Sequence, residues 1–64
     1  MFETTVTRLA ETIVPSSNIE FFNGTMFVDC SVREAIRLES ALVDSGISVI
    51  ISSVDSDTTA YDFV

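Results

Sequence analysis

The 64 residues predict an α+β fold of order αββαββ, in which a four-stranded antiparallel sheet carries two helices on one face and residues 1–64 form a single domain. Three observations carry that expectation. Asn23-Gly24 sits between two β-prone runs, Ser31 and Glu34 have capping-box spacing ahead of a helical apolar pattern, and a β-branched run is followed by a polar turn and a last short strand. Two hairpins and two amphipathic helices of this size close most simply as one sheet under one helical layer.

Apolar side chains at Phe2, Val6, Leu9, Ala10, Ile13 and Val14 fall on one face of a helix over the first fourteen residues. Thr4, Thr5, Thr7 and Thr12 weaken it, and Pro15 disfavours helical geometry at Val14 before the polar connection Ser16-Ser17-Asn18. In Ile19–Cys30, a type I′ turn at Asn23-Gly24 sets Phe22 opposite Thr25, Phe21 opposite Met26 and Ile19 opposite Val28. One face of this hairpin then holds Ile19, Phe21, Met26, Val28 and Cys30, and the other holds Glu20, Phe22, Thr25, Phe27 and Asp29.

The second helix starts at the Ser31/Glu34 box, runs through Val32, Ala35, Ile36, Leu38, Leu42 and Val43, and ends before Gly46. Residues 47–54 read as a strand, Asp55-Ser56-Asp57 as a turn, and residues 58–64 as the last strand. The stretches RLAETIV (8–14) and RLESALV (37–43) share Arg, Leu and the final Val, a trace that admits an internal duplication.

Composition limits the function. The chain has a net charge of −7, no histidine and three cations, Arg8, Arg33 and Arg37. That removes the common general base, most metal-ligand sets and any phosphate-gripping surface. With no nucleophile–base pair and no glycine-rich phosphate loop, the expectation is a protein that is not an enzyme and takes no cofactor or metal. Asp55-Ser56-Asp57 lacks the glycine and distal glutamate of a calcium loop. Cys30 alternates with Met26 and Val28 and reads as a small buried hydrophobe. The N-terminal stretch, broken by Glu3, Arg8 and Glu11, reads as neither a signal peptide nor a membrane span, so a cytoplasmic protein without membrane contact is expected.

Apolar residues make up 47% of the chain, too many for a disordered acidic tail. Yet a domain of about 60 residues buries only roughly 60% of its unfolded surface, and its core supplies about 3–5 kcal/mol without a staple. A single cysteine closes no internal disulfide, which leaves self-association as the expected staple.

Two departures from regular patterning draw attention. Glu39 falls inside the apolar arc of the second helix, flanked by Ala35, Ile36, Leu42 and Val43, where Arg8 of the first helix is its expected partner. Phe22 and Phe27 lie diagonally on the outer hairpin face, joined by Ile50 with Ser48 and Ser52 around it, and are exposed unless the first helix crosses to cover them.

The expected binding residues are therefore Phe22, Phe27 and Ile50 with Glu20 and Asp29 beside them, on a small acidic interaction module that is homodimeric through its sheet face or bound there to another protein. Direct nucleic-acid binding is not expected, because an acidic sheet repels the backbone. The alternative is a nucleic-acid mimic, by analogy with virus-encoded inhibitors. Carboxylates at Glu20, Asp29, Glu34, Asp44, Asp55, Asp57 and Asp62 would then occupy the groove of a basic nucleic-acid-binding protein. A lysine-free acidic surface also suits a saline habitat without any partner. The terminal Asp62-Phe63-Val64 reads as core strand before it reads as a captured C-terminus.

Overall fold

A computed structural model describes residues 2–64. Helix α1 (Phe2–Ala10) is followed by a 3₁₀ turn (Ser16–Asn18), strands β1 (Ile19–Phe22) and β2 (Thr25–Asp29), helix α2 (Val32–Asp44), and strands β3 (Val49–Val54) and β4 (Thr58–Phe63). The four strands form one antiparallel sheet in the order β1-β2-β4-β3, with both helices packed on one face, as the sequence predicts.

The first hairpin has the predicted register, with Ile19 opposite Val28, Phe21 opposite Met26 and Phe22 opposite Thr25. Asn23 (φ 51°) and Gly24 (φ 80°) both take the positive φ that a type I′ turn demands. The capping box is present in full. The Glu34 amide donates to Ser31 Oγ at 3.2 Å and the Ser31 amide donates to Glu34 Oε1 at 2.9 Å. At the other end Gly46 (φ 84°) lets the Ile47 amide reach Leu42 O and its own amide reach Val43 O, the paired bonds of a Schellman cap.

The elements differ from expectation in detail, and β4 ends at Phe63, one residue short. Helix α1 stops at Ala10, four residues short. Thr12 Oγ1 donates to Leu9 O at 2.6 Å, and the Ile13 and Val14 amides both turn back to Ala10 O, a tight turn that prepares for Pro15. Strand β3 starts at Val49, two residues late, because the cap of α2 engages Ile47. The alternation of β3 also slips between Ile51 and Ser53, a bulge at Ser52 whose hydroxyl donates to Ala60 O at 3.3 Å.

The core lies between the sheet and the helices. Val6 and Ala10 of α1, and Ala35, Leu38 and Leu42 of α2, pack with Met26, Val28 and Tyr61 of the sheet. Phe63 closes one end, edge-on to Phe2 (5.1 Å between centroids) and stacked near Phe21 (6.5 Å). Tyr61 is the largest fully buried side chain, and its hydroxyl donates to Ala35 O of α2 at 2.8 Å. Burial pushes the Tyr61 phenol far above its ordinary range, with the nearby Cys30 and Glu39 adding to the rise.

The strand order gives the fold an approximate twofold relation between α1-β1-β2 and α2-β3-β4, with β2 and β4 paired at the centre. Thr25-Met-Phe27-Val-Asp29 runs antiparallel to Thr58-Thr-Ala60-Tyr-Asp62, Thr opposite Asp at both ends and Phe27 opposite Ala60 in the middle. Each half has the element order αββ.

Three outcomes follow for stability. Space beside Gly24 is open, so Gly24→Val meets only backbone strain and should cost about 1 kcal/mol or more, read from chemical denaturation. Ser31→Ala removes one arm of the capping box and should cost about 0.5–2 kcal/mol in the same measurement. Below pH about 10 the Tyr61 phenol is neutral folded and unfolded, and above it the unfolded chain ionises first, so stability should fall as pH rises. Tyr61→Phe should flatten that alkaline loss while costing about 1 kcal/mol at pH 7, seen by thermal melts at pH 7 and pH 11.

Candidate interaction surface

Among the described residues no helix covers the opposite face of the sheet. The register places its side chains in rows across the strands: Phe22, Thr25, Asp62 and Ile50 in one, Glu20, Phe27, Ala60 and Ser53 in the next, and Asp29 beside Thr58 in a third. Phe22 is 64% exposed, Ile50 54% and Phe27 38%, against 6% for Ala60, which is shielded by its neighbours on the face. Every residue expected at the site thus lies on this face.

They do not all meet. Phe22 and Phe27 are diagonal neighbours on adjacent strands, while Ile50 lies on the far edge strand, about 14 Å from Phe22 at strand spacing. Between them the Thr25 hydroxyl donates to Asp62 Oδ1 at 2.6 Å. The bulge also replaces the expected Ser52 with Ser53 on this face.

The same Thr–Asp pairing occurs at the other end of the central strands, where the Thr58 hydroxyl donates to Asp29 Oδ1 at 3.3 Å. Both carboxylates are thereby oriented by the sheet itself and keep lone pairs for an incoming donor. Asn18 Nδ2 donates to Asp29 O at 3.0 Å and ties the 3₁₀ turn to the end of β2. All three arginines lie on the helices, so among the described residues Glu20, Asp29 and Asp62 share the sheet face with no basic side chain. The sequence places Thr25 on this face with Glu20 and Asp29 and counts Asp62 among the acids, but it does not pair Thr25 with Asp62 or Thr58 with Asp29. Their signal was the repeated Thr-x-x-x-Asp at 25–29 and 58–62.

Elsewhere, an open groove of about 390 Å³ along α1 is lined by Glu3, Thr4, Thr7, Arg8, Glu11 and Phe21. Arg8 is therefore placed among these side chains, and Glu39 does not line the groove. Glu39 is half-buried at the margin of the core arc of α2, which consists of Ala35, Leu38 and Leu42, while Val32, Ile36 and Val43 stay exposed. The arc expected from sequence is thus two arcs, with Glu39 between core and solvent.

Cys30 is buried, and its thiol points to Thr59 Oγ1 at 4.0 Å. Burial pushes that thiol up, which makes it a poor nucleophile. Among the described residues no group of three or more Cys, Asp or Glu side chains is placed to hold a metal ion, and no helix is long and apolar enough to cross a membrane. No protein-family model, curated protein or solved structure matches the chain.

Proposed function

We propose that this protein is a small acidic, non-enzymatic interaction module that binds a basic protein surface through its open sheet face. The observation that carries the reading is the exposed Phe22–Phe27 pair on a face whose fixed charges, Glu20, Asp29 and Asp62, are all negative. Exposed aromatic rings bring apolar area at little entropic cost, and the carboxylates orient an arginine- or lysine-bearing partner and repel an acidic one. Arginine in particular suits both parts, stacking on a phenyl ring while its remaining donors reach a carboxylate.

A second copy is the other occupant of this face. Face-to-face stacking of two copies sets like carboxylates near one another, whereas a basic surface neutralises them, and charge therefore favours the basic partner. The nucleic-acid-mimic reading is the narrower case in which that basic surface is itself a nucleic-acid-binding groove.

Phe22→Ser combined with Phe27→Ser should weaken capture of a basic, leucine- and arginine-bearing probe peptide at least tenfold and leave circular dichroism unchanged. Binding to the unmodified face should weaken steadily with added salt. Salt-tolerant self-association lost in the same double variant would instead assign the face to a second copy.

A further inference from the structure

Strand β3 is an edge of the sheet, and its outer row of backbone groups has no strand beside it among the described residues. The Val64 amide donates to Ser48 O, so Ser48 and, two residues on, Ile50 turn their N–H and C=O groups toward β4. Val49 and Ile51 turn theirs to the open side. Such an edge is normally guarded by charge or proline. Here residues 45–54 are the longest stretch of the chain without a charged side chain, and they hold no proline. The other edge is guarded: β1 carries Glu20, its Ile19 amide already donates to Ser16 O, and the groove beside its Phe21 is lined by Glu3, Arg8 and Glu11.

The helix above β3 is bare on the same side. Strands β2 and β3 are parallel, both running antiparallel to β4, and α2 joins them by a crossover that takes the right hand. With α1 over β1 on one side of α2, the opposite flank of α2 looks out past β3. In that handedness the residue after each core position turns toward the β3 edge: Ile36 after Ala35, Glu39 after Leu38, Val43 after Leu42. Val32 stands one turn before Ile36, and Val32, Ile36 and Val43 are 47%, 56% and 55% exposed.

We propose that β3 pairs antiparallel with β3 of a second copy about a twofold axis at Ile50, joining the two sheets into one. Val49 and the partner's Ile51 then exchange both backbone hydrogen bonds, as do Ile51 and the partner's Val49. Ile50 meets the partner's Ile50 at the non-hydrogen-bonded position, where side chains approach most closely. The same axis sets the bare flank of α2 against its counterpart. A lone extended peptide would satisfy the edge and leave that flank open, and a basic strand would find no carboxylate on residues 45–54 to pair with. A second copy supplies strand and helix together, the two layers that bring an edge pairing toward the roughly 1,200 Å² of a specific interface. Glu39 is the charge beside the seam, and facing its counterpart it keeps the association weak. The pairing gives a place to Ile50, which is 54% exposed and stands apart from Phe22 and Phe27. It leaves those rings free at both ends of one continuous outer face and doubles the valency of the module.

Sedimentation equilibrium of the full chain, over about 10 µM to 1 mM, tests this. A concentration-dependent dimer is expected. Ile50→Lys and Ile50→Glu should each weaken it at least tenfold with circular dichroism unchanged, because residue 50 lies on the outer face, away from the core. Mixing the two variants should restore association, since position 50 faces itself across the axis. Ile36→Ser should weaken the dimer and Glu39→Gln should tighten it. A monomer throughout, a dimer indifferent to Ile50→Lys or to Ile36→Ser, no recovery on mixing, or a dimer lost with the Phe22→Ser, Phe27→Ser pair would overturn the proposal.

Discussion

Tyr61 is the side chain on which the arrangement of layers depends. It points from β4 into the core between sheet and helices, is fully buried, and reaches Ala35 O at 2.8 Å, so it binds the sheet to α2 by both packing and a directed bond. A buried phenol without that partner would be costly, and the helix therefore has one acceptable position over the strands. Val6 and Ala10 of α1 complete the same layer. The chain is too short to build a third layer, and what the helices leave uncovered is the other face of the sheet.

Function is read from that leftover. On a half-covered sheet the outer side chains are usually short and polar, but here two phenylalanines and an isoleucine stand among carboxylates. The Thr25–Asp62 and Thr58–Asp29 bonds stiffen the central strands and hold the acids in place, so the face is a preorganised surface. On the proposed reading, its stripes of aromatic and acidic character are what a basic partner meets.

Much of the fold was legible because local rules agree with the final packing. Asn23-Gly24 fixes the first hairpin to the residue, and Ser31 with Glu34 starts α2 where the capping box says. Other parts depend on long-range contacts that periodicity does not contain. The strand order β1-β2-β4-β3 separates Phe22 from Ile50, the bulge at Ser52 shifts which serine faces outward, and the sheet selects Ala35, Leu38 and Leu42 out of a broader apolar arc. Glu39 is anomalous only where that arc is read as one face. The early end of α1 reflects Thr12, whose hydroxyl competes for a helix carbonyl just before Pro15.

The claim underlying all of this is that one face of the sheet is bare within the folded chain. Solvent paramagnetic relaxation measures it directly, with a soluble, uncharged gadolinium chelate and selectively labelled phenylalanine, on dilute protein. The account predicts strong relaxation of the Phe22 ring, intermediate relaxation of Phe27, and protection of the Phe21 and Phe63 rings. Equal protection of Phe22 and Phe63 in the monomer would contradict it, because some part of the chain would then cover the proposed binding face.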